Sequence, residues 1–149
     1  MNSNEILKNE TKKLLEGSEE LHDKFTDLTD VTTAATILVS ATSYFDDRSE
    51  ECNPLIENCD KSLNALPKFT PPTSKIKRSQ YENVKQRLEN LKSSFVQLQE
   101  KTDTVTSTTA TVAEKGVAAG EIVLEVPSIL DDFTFMILEC EEIKKVLNF

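Results

Sequence analysis

Apolar residues recur at seven-residue spacing along almost the whole chain, a period that suits helices packed through narrow seams. Leu7, Leu14, Leu21 and Leu28 open one track, which continues through Ala35, Thr42, Ser49, Ile56 and Leu63. Val31, Leu38, Phe45, Cys52, Cys59 and Leu66 form a second track three residues ahead. Before Phe25 that second track is polar, with Glu10, Gly17 and Lys24, and Thr11, Ser18 and Phe25 stand in one place further on. In the second half, Tyr81, Leu88, Phe95 and Thr102 alternate with Val84, Leu91, Leu98 and Val105. The register then runs on through Ala119, Val123, Val126, Leu130, Phe133, Ile137, Cys140, Lys144 and Leu147.

Between the two halves lies Leu66-Pro67-Lys68-Phe69-Thr70-Pro71-Pro72-Thr73-Ser74-Lys75, which holds three of the five prolines. This stretch, 66–75, reads as the bend between two helical arms at about 4–65 and 76–148 of a single all-helical domain spanning 1–149. Ser3 or Asn4 is the expected first cap, and Ser74 or Ser79 the cap after the bend. Pro54 predicts a break near Asn53; Gly120 predicts a helix end, and Pro127 a restart with Ser128 and Asp131 spaced as a capping box. The fold class is all-α, with two architectures open: an elongated antiparallel bundle of about four helices, or one long hairpin kinked at Pro54 and Pro127. Residues 31–45 carry no charge, and residues 129–149 are apolar on more than one helix face. Both favour the bundle, with the last segment as its central element. Three glycines and no tryptophan suit helices better than an all-β domain.

The formal net charge of −9 argues against nucleic acid as a partner. Charge is unevenly spread, however. From Lys68 to Lys92 there are seven basic residues against two acidic ones, so the bend is a positive tip on a negative body. Lys68, Lys75, Lys77, Arg78, Lys85 and Arg87 are the candidate interaction tip, suited to an acidic partner, a lipid headgroup surface or a local nucleic-acid backbone contact; the alternative is that these charges pair between neighbouring helices.

No Gly-rich phosphate loop, nucleophile elbow or paired-cysteine zinc motif is present in the sequence. His22, the one histidine, has no Cys or His at ligand spacing and reads as a surface residue. The acidic pairs, Asp131-Asp132 and Glu141-Glu142 among them, read as solvated helix faces. Cys52, Cys59 and Cys140 fall on seam tracks and read as small apolar core residues. No cofactor or metal is expected. With no secretory signal and no apolar run of membrane-spanning length, the expected setting is cytoplasmic or otherwise intracellular.

The run Thr104-Val-Thr-Ser-Thr-Thr-Ala-Thr-Val-Ala-Glu-Lys-Gly-Val-Ala-Ala-Gly resembles the Thr/Ala/Gly-rich amphipathic repeats of lipid-droplet coat proteins and synucleins, over less than a fifth of the chain. That resemblance implies association with a lipid surface. The leading expectation is a non-enzymatic helical scaffold or adaptor that meets protein partners, helical or acidic, with self-association also open. A membrane-surface helical protein comes second, and a small-ligand carrier using the bundle interior third.

Overall fold

Each half of the heptad pattern folds into two helices in the computed structural model, which describes residues 2–29, 41–69, 78–106 and 111–149. Helix α1 spans Ser3–Thr26 and runs into a turn of 3-10 helix at Asp27–Thr29. Helix α2 spans Ala41–Ala65, with a second such turn at Leu66–Lys68; α3 spans Arg78–Thr106 and α4 spans Val112–Val146. Antiparallel neighbours pack in a ring, α1 on α2, α2 on α3, α3 on α4 and α4 back on α1. The architecture is the four-helix bundle.

The seams meet on the bundle axis. In α1 the buried line is Leu7, Thr11, Leu14, Ser18, Leu21, Phe25 and Leu28, so the substitutes Thr11, Ser18 and Phe25 complete the seam. In α3 it is Val84, Leu88, Leu91, Phe95, Leu98, Thr102 and Val105, as the sequence predicts. In α2 and α4 one track is displaced by a residue. Leu55 and Ser62 are buried where Ile56 and Leu63 are half-buried, and Ile122, Ile129, Met136 and Ile143 are buried in place of Val123, Leu130, Ile137 and Lys144. Adjacent residues lie about 100° apart on a helix, so a broad apolar face leaves the innermost one to be chosen by the neighbouring helices.

Polar seam residues are tolerated because their own helix satisfies them. Thr11 Oγ1 donates to the Leu7 carbonyl at 2.6 Å, Ser18 Oγ to Leu14 at 2.7 Å and Thr102 Oγ1 to Leu98 at 3.1 Å. Ser62 Oγ, also buried, makes no hydrogen bond. Between α1 and α2 a polar cluster fixes the pairing. Arg48 grips both carboxylate oxygens of Glu51 at 2.7 and 2.9 Å, Lys24 reaches Glu51 at 2.7 Å, and the Arg48 guanidinium lies 4.6 Å from the centre of the Tyr44 ring. Burial alone would raise the Glu51 carboxyl, but the hydrogen bonds from Arg48 and Lys24 prevail and hold it below its ordinary value.

Helix ends depart from the predicted ones in instructive ways. The first cap is Asn2, one residue before Ser3; its side chain accepts from Glu5 N at 2.9 Å while the Glu5 carboxylate reaches back to Asn2 N, a capping box. Pro54 does not break α2, and neither Gly120 nor Pro127 interrupts α4. Both prolines face solvent, so the carbonyl each leaves without its helical partner lies on the wet side, and burial of the opposite face carries the helix through a cost of about 3 kcal/mol. The Thr-rich run is where the second half divides. α3 ends at Thr106, and Thr111 is extended and caps α4 by accepting from Glu114 N at 3.1 Å. The uncharged run predicted as buried helix enters α2 from Ala41 onward; 31–40 lie outside the described residues, as does 70–77 of the bend.

At the far end of α4, Asn148 adopts a left-handed φ of 60°, Asn148 N donates to the Lys145 carbonyl and Phe149 N to that of Lys144. This terminal turn carries Phe149 onto Phe69, edge to face at 5.8 Å between ring centres, and ties the end of α4 to the residues after α2.

Two glycines face opposite surroundings. A Cβ on Gly17 would overlap Leu55 Cδ2 at the α1–α2 contact, whereas one on Gly120 would meet no atom within 4 Å. Gly120→Ala is expected to raise stability by up to about 1 kcal/mol, seen as a rise of about 2–4 °C in Tm. Gly17→Ala, which must displace the buried Leu55, is expected to lower Tm in the same thermal melt.

Candidate functional site

The predicted basic tip divides once the helices are in place. Lys68 is exposed in the turn after α2, and Lys85 is exposed on α3. Arg78 opens α3, while Lys75 and Lys77 lie outside the described residues. Arg87 is used inside the bundle surface: its Nη1 donates to Glu139 Oε1 on α4 at 2.6 Å and its Nε to Asn83 Oδ1 at 2.8 Å. Lys92, from the same basic stretch, pairs with Asp60 on α2 at 2.7 Å. Two cations of the positive segment therefore act as struts between helices.

The residues with chemical potential elsewhere are occupied structurally. Cys52, Cys59 and Cys140 are buried and unlinked, and desolvation pushes each thiol up to about 12. Cys52 Sγ donates to the Arg48 carbonyl at 3.3 Å. His22 lies on the outer side of α1, with Nδ1 3.5 Å from Asp23 Oδ1. Among the described residues no group of His, Cys, Asp and Glu could hold a metal ion, and no helix is long and apolar enough to cross a membrane.

The surface that stands out is the outer face of α4. Position 129–149 was expected at the centre of the core, but a helix in a four-membered ring buries only the stripe that faces its two neighbours and the axis. Val123, Leu130 and Val146 pack at its margin, and other apolar residues are left outside. Phe135 is 60% exposed, Leu138 57%, Val117 62% and Leu124 84%. Phe135 and Leu138 line an open hollow of about 350 Å³ between α4 and α3, together with Arg87, Glu139, Glu142 and Lys145.

Glu139 is the unusual group in this hollow. It is 5% exposed; Oε1 is held by Arg87, and Oε2 is buried without a hydrogen bond. A carboxylate normally fills both oxygens when removed from water, because an unmatched acceptor costs about 1–3 kcal/mol or more. The sequence reading missed Glu139. Its signal lay beside the seam, since Glu139 precedes the buried Cys140 and Arg87 precedes the buried Leu88, so opposite charges border the seams of the two helices. Glu10 is a second buried acid, with Lys13 3.4 Å from Oε1 and no hydrogen bond at Oε2.

No family model matches the chain, and neither a curated protein nor a solved structure does.

Two outcomes follow from this geometry. Arg87→Ala, which strips the partner from a buried carboxylate, is expected to cost about 1–3 kcal/mol in chemical denaturation, while Lys85→Ala leaves the midpoint almost unchanged. A thiol reagent at pH 8 is expected to label the native protein only as fast as it unfolds and all three cysteines at once in denaturant; rapid native labelling would contradict their burial.

Proposed function

We propose that this chain is a non-enzymatic helical adaptor or scaffold subunit that works by docking another protein against its surface. The observation that supports the reading is the row of apolar side chains that α4 keeps outside after the core has closed. Single exposed apolar residues are ordinary on a soluble surface; several on one helix face, with Phe135 and Leu138 opening on a hollow, are a feature of docking surfaces. The basic tip offers a second contact through Lys68, Lys75, Lys77, Arg78 and Lys85, and Arg87 is committed to Glu139 instead.

The competing reading, a lipid-surface helix, draws on the same apolar row. It is weakened by charge, because α4 carries eight acids and three lysines between residues 112 and 146 and would be repelled by anionic headgroups. Cross-linking in the native cell tests the two together. The expected result is a stoichiometric protein partner whose cross-links fall on Lys144 and Lys145, lost in a Phe135→Ser, Leu138→Ser variant with unchanged Tm. Flotation of the purified chain with vesicles, with no such partner, would replace the adaptor reading by the lipid one.

A further inference from the structure

We propose that the hollow between α3 and α4 receives the apolar face of a basic amphipathic helix, with one of its Lys or Arg side chains reaching Glu139. The inference rests on the adaptor reading and names the kind of partner and the site.

Three observations converge on it. The first is spacing. Besides its core seam, α4 has an outer line at Val117, Leu124, Asp131, Phe135, Leu138, Glu142 and Lys145, in steps of seven, four and three residues. Such a line lies along one side of a helix and is the pattern that packs against a further helix. Phe135 and Leu138, at i and i+3, sit together at the hollow. The hollow is open along the surface of α4, which suits side chains from a helix laid along it.

The second observation is the carboxylate. Glu139 is nineteen-twentieths buried, lines the hollow, and has one oxygen without a donor. Arg87 is fixed by Asn83 and by the other oxygen, so the missing donor is not supplied from there. Oε2 is covered in the free chain, so a guanidinium or ammonium arriving beside Phe135 and Leu138 completes the carboxylate once the Glu139 side chain turns towards the hollow, in a site shielded from water where a charge-assisted bond counts for more.

The third is charge, which decides among occupants. Glu141 and Glu142 border the hollow, Asp131 and Asp132 lie on the preceding turns, and Lys145 is the nearest α4 lysine lining it. A second copy of this chain fits poorly. Antiparallel packing of two α4 helices with Phe135 against Leu138 of the other copy sets Asp131 opposite Glu142 at both ends, so like charges meet where the seam should close. An acidic helix or an anionic lipid surface meets the same repulsion. A helix with Lys or Arg flanking an apolar stripe meets the acids as attraction; of the two cations at the hollow, Arg87 is already paired with Glu139, and Lys145 stands beside Glu141 and Glu142.

The test uses the full chain and two synthetic helical peptides of about 20 residues with the same Leu stripe, one flanked by Lys and Arg, the other by Glu. The expected result is that the basic peptide binds at least tenfold tighter by fluorescence anisotropy, with amide shifts confined to the outer face of α4 and the neighbourhood of Arg87. Phe135→Ser with Leu138→Ser is expected to weaken it at least tenfold. Glu141→Lys with Glu142→Lys, both away from the core, is expected to reverse the preference between the peptides, and unchanged Tm in each variant shows that the fold is intact. Equal binding of both peptides overturns the proposal, as adhesion to an apolar patch only. Self-association lost with Phe135→Ser overturns it in favour of a second copy. Binding of neither peptide, while a cellular partner still cross-links to α4 in a Phe135-dependent way, overturns the basic-helix assignment and leaves the adaptor reading standing.

Discussion

Four buried lines, each one seam wide, meet along one axis, and the rest of the molecule depends on that meeting. A line alternating three- and four-residue steps stays on one side of a helix, so each helix can serve two neighbours and the axis but nothing more. Burial of large side chains supplies the driving force, with Phe25, Phe45, Phe95 and Phe133 all fully inside. Phe25 lies between Tyr44 and Phe133, 6.3 and 5.5 Å between ring centres, and so couples α1 to both of its neighbours. Where the line carries Thr11, Ser18 or Thr102, the hydroxyl returns to its own helix backbone, and helices approach closely without leaving a polar group stranded.

Charge pairs sit at the borders of these seams and set which residues face each other. Lys24 with Glu51 ties α1 to α2, Lys92 with Asp60 ties α2 to α3, and Arg87 with Glu139 and Lys101 with Glu125 tie α3 to α4. Most are partly exposed and contribute little energy each. Arg87 with Glu139 differs because the acid is almost fully removed from water, where losing the partner costs more than the pair itself adds. This asymmetry makes the α3–α4 border the place where the bundle's electrostatics and its exposed apolar surface coincide.

Helix α4 is thereby two helices in one. One side, from Ala119 to Leu147, is core; the other, from Val117 to Lys145, is apolar at Val117, Leu124, Phe135 and Leu138 and charged at Asp131, Glu142 and Lys145. Continuity across Gly120 and Pro127 is what keeps both lines straight enough to be read as lines. An interruption at Pro127 would have turned the segment carrying Phe135 and Leu138 independently of the rest.

The heptad period by itself determined the all-helical class, the seam of α3 residue by residue, and the placing of Thr11, Ser18 and the three cysteines in the interior, because side-chain direction in a helix follows from spacing alone. The end of α1 at Asp27–Thr29 and the division of the second half at Thr106 and Thr111 were not legible, since Pro54, Gly120 and Pro127 are stronger local signals, and local signals yield when the opposite helix face is buried. The choice of Leu55 over Ile56 and of Met136 over Ile137 belonged to the tertiary structure, as did the outward turn of Phe135 and Leu138: apolar residues on several faces compete for one axis, and the neighbouring helices decide which of them win. The state of Glu139 was settled last of all. Burial of a carboxylate depends on what packs over it, and only the approach of α3, bringing Arg87 to one oxygen and leaving the other without a donor, made an ordinary glutamate the distinctive group of this surface.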